Sequence, residues 1–480
     1  MSSSADTRLP RAERAALARL ATDRLRTAAV DAVAIGWVDN AGLARVKAVP
    51  VGGLVHAASW GVGAAPCFDA FLVDDSTAEP VTGPVAGPRA DGTAPDPAAP
   101  PAGSGAVGDL RLYPDLDRLV PLAAQPGWAW APADRYTQQD TPHPGCQRLF
   151  ARRAEAAARA RGLSLRAGIE VEWVAALAGP PEEEPRYPTA GPAYGLQRLT
   201  DLSDYLRDVL RALEQQGLNV LQIHPEYAPG QFEVSVAPEG PVAAADTSVL
   251  VRHTVRAVSA RHGLRASFAP AVEPGGVGNG SHLHLSLWRD GRNLGHGGPG
   301  PHGLTGEAEA FLAGVLAALP ELLVLGTPSP AGYLRLVPSR WAGAYRCWGL
   351  ENREAALRLV TGSEGERADT ANAEIKCFDG AANPYLAVGA VLAAGLAGID
   401  GGLRLPPETT VDPARLAPGT VARLPADLSE ALAAYERSAV LREALGEPLY
   451  RAVLAVRRAE SALFAGRGAE EIIAATRWRY

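Results

Sequence analysis

Cysteine is scarce in this 480-residue sequence: Cys67, Cys146, Cys347 and Cys377 lie far apart and follow no CxxC spacing. That excludes a disulfide framework and a structural zinc site, and leaves four reduced thiols whose main work is packing. The opening MSSSADTRLPRAERAALARLATDRL has no apolar h-region of the kind a secretory signal carries. No later stretch reaches the roughly 18 uninterrupted apolar residues of a membrane span, the richest, AVGAVLAAGLAGID, being short and heavy in Ala and Gly. These absences lead us to expect a cytoplasmic protein with no membrane partner. There is also no long Lys/Arg run, and the formal net charge is −7, which argues against nucleic acid or an anionic bilayer as the main partner and favours small molecules.

With 47% hydrophobic and 21% charged residues, the chain can bury a large core and is long enough for two or more domains. Residues 1–10 are polar and read as a disordered tail, and residues 11–29 carry apolar positions at helical spacing. AVAIGWVDNAGLARVKAVPV reads as two strands around a turn at residues 39–42, with further short strands expected at FDAFLVDD and DLRLYPDL. Between these, residues 82–108 are rich in Pro, Gly and Ala and read as a surface loop. The texture changes near residue 140, where long helical patterns begin to alternate with short strands. We therefore expect a β-rich unit over 11–140 and an α+β unit over 141–480.

Four stretches of the second unit alternate ionisable with apolar side chains, so that each, as a strand, presents one polar face. In GIEVEW, Glu170 and Glu172 oppose Ile169, Val171 and Trp173. QFEVSVAP sets Glu233 and Ser235 opposite Phe232 and Val234, SHLHLSLW sets His282, His284 and Ser286 opposite three leucines, and NAEIKCFDG sets Glu374 and Lys376 opposite Ile375 and Cys377. Taken singly, each is an ordinary half-exposed strand. If the faces converge, five carboxylates counting Glu226 of HPEYAPGQFE crowd together, and they need counter-ions to stay charged. Carboxylates with one or two histidines suit Mg²⁺ or Mn²⁺ better than zinc. The HxH pair lies too deep in the chain for a zinc hydrolase of the amidohydrolase kind. GGVGNG is by itself a turn, and the acids of SEGE and PPEEEP are solvated loop charges.

Three arginines tip the balance. Arg335, Arg353 and Arg358 fall in GYLRLVPSRWAGAYRCWGLENREAALRL, which reads as irregular, and arginines beside a carboxylate cluster suit phosphoryl transfer, where catalysis is positioning and charge stabilisation.

In order and spacing, GWVDNAGLARVKAVP, VGDLRLYPDLDRL, GIEVEW, HPEYAPGQFE, GNGSHLHLSL, RLVP, NREAALR and AEIKCFDGAANPYLA together resemble the glutamine synthetase family, most nearly its actinobacterial branch that joins glutamate to organic amines. The resemblance implies a small N-terminal β-grasp domain followed by a catalytic domain whose antiparallel strands form an active-site funnel. It also implies a dodecamer of two hexameric rings with sites between subunits. By motif, Glu172, Glu226 and Glu233 match the ligands of the metal on the glutamate side, and Glu170, His282 and Glu374 match those of the metal that holds the nucleotide phosphates. His284 and Ser286 match nucleotide contacts, as does Arg358. Gly278 and Arg335 match the groups that meet glutamate, Arg353 and Arg358 the phosphate-stabilising pair, and His224 a substrate contact. The implied reaction uses ATP, glutamate and an amine, with γ-glutamyl phosphate as intermediate and two Mg²⁺ or Mn²⁺ ions per site.

Three positions depart from the family pattern. The ammonia-using enzymes carry a glutamate six residues after the first arginine, where this sequence has Trp341. An indole cannot take a proton from ammonium, but it can cover an alkyl group, and Tyr345 and Trp348 are expected to extend that wall. The aspartate that reaches a neighbouring subunit has three candidates, Asp69, Asp74 and Asp75. Lys376 stands where the family usually has an arginine, replacing a fork with a point charge. A true glutamine synthetase using ammonium and an idle structural homologue are the alternatives. The second conflicts with six retained ligands, because buried charge without metal is costly.

Overall fold

The computed structural model describes residues 8–79 and 108–480. Of the expected tail and surface loop, residues 1–7 and 82–107 lie outside the described residues. The expected first helix is present as Arg11–Thr27. Six strands follow: β1 (Ala32–Val38), β2 (Ala44–Pro50), β3 (Val62–Ala64), β4 (Leu110–Pro114), β5 (Val120–Pro121) and β6 (Trp128–Tyr136). They form one sheet in the order β2-β1-β6-β4-β3, with β5 on β6. β1 and β2 are the expected hairpin, and β1 pairs parallel to β6. Ala18, Ala21 and Leu25 of the first helix pack with Val33 and Ile35 of β1 in one apolar cluster. Two neighbouring parallel strands with a helix over them make the expected β-grasp arrangement.

FDAFLVDD is not a strand. Pro66–Ala70 is a 3₁₀ turn, and among the described residues the remainder of this stretch makes one isolated bridge, Phe71 to Thr77. Pro66 removes a ladder donor, and Asp69 turns inward to ion-pair with Arg135 at 2.5 Å and hydrogen-bond His143 Nε2 at 2.8 Å.

The hairpin turn of residues 39–42 is pinned against the second unit. Gly42 has φ +85°, and a Cβ there would stand 2.0 Å from the carbonyl oxygen of Ala381, so this close approach requires glycine. The Asn383 amide donates to the carbonyls of Val38 (3.1 Å) and Asp39 (3.0 Å).

The second unit contributes β7 (Ser164–Ile169), β8 (Val171–Leu177), β9 (Val220–Pro225), β10 (Gln231–Val236), β11 (Leu264–Ser267), β12 (Leu283–Arg289), β13 (Arg292–Asn293), β14 (Tyr345–Leu350), β15 (Ala355–Val360) and β16 (Asn372–Ile375). They form two sheets, β11-β8-β10-β9 and β13-β12-β16-β15-β14, with β7 on β12. All these pairs are antiparallel except β14 with β15. GIEVEW is therefore not one strand. Ile169 pairs with Leu283 in one sheet and Val171 with Val234 in the other, so Glu170 sits where the chain crosses between them.

Behind the sheets, the helices Gly306–Gly326 and Pro384–Asp400 fill the largest core with Leu, Val, Ala and Phe. Gly306–Gly326 is apolar and long enough to span a bilayer, but 83% of its most apolar window is buried in the fold, which is what a core helix requires.

Candidate active site

The strand faces converge. A cavity of about 590 Å³ is lined by Glu170, Glu172, Glu226, Glu233, Glu374, His224 and His282, and also by Gly278, Arg335, Arg353, Arg358, Lys376 and Trp341. Register explains the grouping. Glu233 of β10 stands opposite Glu172 of β8 and opposite His224 of β9, and Glu374 of β16 stands opposite His284 of β12 and Arg358 of β15. Directly opposed residues bring their side chains together on one face.

Two tight groups result. In the first, His282 Nδ1 lies 2.9 Å from Glu170 and 3.2 Å from Glu374. Lys376 and Arg358 each donate to Glu374 at 3.0 Å. Burial alone would raise both acids, but the histidines hold Glu170 low, and His282 with Lys376 holds Glu374 well below the carboxylate range. In the second group, His224 lies 3.2 Å from Glu226 and 3.5 Å from Glu233. Burial would lower His224, yet these two carboxylates push it up to about 10.

The sequence motif grouped Glu172 with Glu226 and Glu233, whereas here His224 closes that trio and Glu172 stands between the groups. It accepts from Gly280 N–H at 2.9 Å and from the Gln231 amide at 3.2 Å. Burial and the neighbouring carboxylates, only partly opposed by His282, raise Glu172 to about 7.

Each group offers donors within 4.8 Å of one another. The donor sets, two carboxylates with one imidazole each, fit a hard divalent cation.

Arg335 ends the short helix Pro330–Arg335, and Arg358 lies on β15, so neither occupies the irregular segment expected from sequence. Only Arg353, between β14 and β15, does. Arg335 donates to the carbonyl of Lys376 at 3.1 Å and lies 3.0 Å from His282, while its buried Nη1 has no partner. Gly278 must be glycine, because a Cβ would stand 1.9 Å from the Pro270 carbonyl. His284 contacts Glu170 at 3.1 Å, but it and Ser286 stand farther along β12, outside the cavity lining. Ser286 is occupied by the Trp288 indole at 2.8 Å.

At the mouth, Trp341 stacks on Tyr227 (4.9 Å between centroids), Tyr227 meets Tyr194 edge-on (5.8 Å), and Tyr194 stacks on His224 (4.9 Å). Tyr194 also donates to Glu226 at 2.7 Å. Sequence reasoning missed both tyrosines. Tyr345 and Trp348 do not join this wall: Trp348 is buried with its indole on the Pro406 carbonyl (2.7 Å), and Tyr345 meets Arg423.

Residues 144–472 match the model of the glutamine synthetase catalytic domain. The γ-glutamylpolyamine synthetase GlnA3 of Streptomyces coelicolor is 54% identical over 457 residues, covering 94% of each chain. The glutamine synthetase of Methanocaldococcus jannaschii is 32% identical, covering 73% of this chain and 79% of its own. A solved glutamine synthase homologue superposes with a TM-score of 0.80 at 34% identity, covering 94% of this chain and 99% of its own. The ADP complex of GmaS superposes with a TM-score of 0.78 at 27% identity, covering 93% of this chain and 97% of its own. The chain belongs to the glutamine synthetase family.

Proposed function

We propose that this protein is an ATP-dependent ligase that joins the γ-carboxylate of glutamate to an organic amine. A carboxylate oxygen attacks the terminal phosphorus of ATP and ADP leaves. The amine nitrogen then attacks the acyl carbon of γ-glutamyl phosphate, phosphate leaves, and the nitrogen loses a proton. The observation that carries the reading is one cavity with guanidiniums and two acid–histidine groups in its lining and aromatic rings at its mouth. The resemblance to a γ-glutamylpolyamine synthetase favours an alkyl amine bearing further cationic nitrogens.

In this reading Glu170, His282 and Glu374 hold one Mg²⁺ or Mn²⁺ ion, and Glu226 and Glu233, with Glu172 and His224 beside them, hold the second. Bound there, such ions supply the positive charge that phosphoryl transfer requires. Arg353 and Arg358 stabilise the phosphoryl group. Arg335, with its unpartnered Nη1, takes the α-carboxylate of glutamate beside Gly278, and Lys376 neutralises the reacting carboxylate. His284 and Ser286 lie on the path of the nucleotide.

The reading divides the chain near residue 140 and assigns it to the cytoplasm. It assembles twelve copies in two hexameric rings, with an N-terminal unit completing each neighbour's cavity. An ADP-release assay with glutamate, Mg²⁺·ATP and a panel of amines including ammonium tests it. Turnover with alkyl polyamines above that with ammonium is expected, and release with ammonium alone would refute it.

A further inference from the structure

Residues 337–342, which follow the Arg335 helix and line the cavity at Val337, Arg340 and Trp341, are anchored in the core at Ala342 but otherwise make few backbone hydrogen bonds. Ser339 and Trp341 both adopt left-handed backbone, φ 56° and 55°, a conformation that side chains other than glycine's disfavour. Among the described residues, the N–H groups of 339–343 find one partner, the carboxylate of Glu354. It accepts from Trp341 N–H at 2.8 Å; burial raises this carboxyl, and the N–H groups of Trp341 and Ser339 only partly oppose that.

Glu354 is itself anomalous. It is 7% exposed and, among the described residues, forms no ion pair and leaves its buried Oε2 without a partner. Such a carboxylate is expensive to keep. Its own turn is rigid: Glu354 N–H donates to the Asn352 side chain at 3.1 Å, and that amide is tied to the carbonyls of Thr409 (2.7 Å) and Val411 (3.0 Å). The turn therefore directs two neighbours to two tasks, Arg353 into the cavity and Glu354 under the loop.

We propose that Glu354 is a positioning residue that holds residues 337–342 closed, so that Trp341 stands against Tyr227 and the amine enters past a fixed aromatic wall. The step to amine selection rests on the ligase reading, whereas the closure of the loop does not. Two measurements on the full-length protein separate them.

The first is limited trypsin digestion followed by mass spectrometry at the Arg340–Trp341 bond, since Arg340 is exposed in the loop. Loss of a charge-assisted hydrogen bond predicts cleavage there about tenfold faster in Glu354→Ala, an intermediate rate in Glu354→Gln, and unchanged cleavage elsewhere. Glu354→Asp, which keeps the charge, should lie nearest the wild type. Equal cleavage at Arg340 in all four proteins would overturn the latch.

The second is steady-state kinetics. Glu354→Ala should raise KM for the amine about tenfold and leave KM for ATP and glutamate within about twofold, and the effect should vanish in a Trp341→Ala background. A merely structural role would move all three constants together and add to the Trp341 effect, and that result would reject the positioning role even if the loop loosens.

Discussion

Tyr227 and Trp341 stack at 4.9 Å with their planes 29° apart, although they belong to segments more than a hundred residues apart in sequence, and both rings are open to solvent, 41% and 47%. A stacked pair left exposed at a cavity mouth offers a flat face to an alkyl chain or an ammonium head. A cation over such a face gains roughly 0.5–2 kcal/mol, so Trp341→Ala should lower kcat/KM for a polyamine about tenfold and leave that for ammonium nearly unchanged. Competition between polyamine and ammonium in one assay measures the ratio directly. An unaltered preference would count against the aromatic entrance.

The two acid–histidine groups make a second expectation. Replacing Glu374 by Ala removes a group that contacts His282, Lys376 and Arg358 at once. ADP release should fall by at least about a hundredfold, as losses of metal-orienting groups typically do. Titration with Mn²⁺ followed by electron paramagnetic resonance should find two bound ions per chain in the wild type and one tight ion in the variant. Two equally tight ions in Glu374→Ala would mean that Glu374 holds no metal.

Much of this site was legible because strand alternation has a period of two and leaves a carboxylate row visible in bare sequence. Glu172, Glu233, His282 and Glu374 were found that way, and they do converge. The break at Glu170 was not legible, since GIEVEW keeps its alternation while passing from one sheet to another. Tyr194 sits in TAGPAYGL, a Pro/Gly stretch with no periodicity, and reaches the site only through stacking and one hydrogen bond. Tyr227 could have been suspected, as it follows Glu226 inside the motif HPEYAPGQFE. Tyr345 and Trp348 misled because nearness in sequence to Trp341 says nothing about direction once the chain turns into β14. Glu184 of PPEEEP, read as a solvated charge, ion-pairs with Arg477 at 3.0 Å but stays 77% exposed, a contact of little energetic weight.

Stability should carry a pH signature from Glu321, in the core helix Gly306–Gly326. Burial pushes its carboxyl up to about 7, opposed in part by a backbone N–H, Ser438, Arg346 and Arg437. The folded protein therefore holds this proton more tightly than the unfolded chain. The stabilisation is complete below the unfolded value of about 4.5 and is lost as pH rises through about 7. Glu321→Gln removes the titration, so its advantage over the wild type should be small at pH 5 and grow to roughly 2–3 kcal/mol at pH 8. Thermal melts of both proteins at the two pH values test this, and a constant gap would show that the carboxyl titrates normally.

Of the three aspartates considered for reaching a neighbouring subunit, two are already engaged. Asp69 is buried between Arg135 and His143, and Asp75 pairs with Arg45 at 2.7 Å and Arg479 at 3.0 Å. Asp74 is exposed and, among the described residues, bonds only to Ser76, two residues along its own turn. Of the three, it is the one we expect, in the proposed ring assembly, to enter a neighbouring chain's cavity and accept the proton that the amine must lose, a role that Trp341 cannot fill. Removing a general base typically costs ~10² to 10⁴ in rate, so Asp74→Asn should lose that much kcat with every amine while keeping its melting temperature. Asp69→Asn should instead lower the melting temperature by uncoupling a buried arginine. The decisive test mixes chains. Asp74→Asn and Glu374→Ala are each expected to be nearly inactive alone, but co-expressed in equal amounts they leave about one site in four with an intact cavity and an intact neighbour. Activity recovered to that level places Asp74 across the interface, and no recovery would return the proton acceptor to the chain's own cavity.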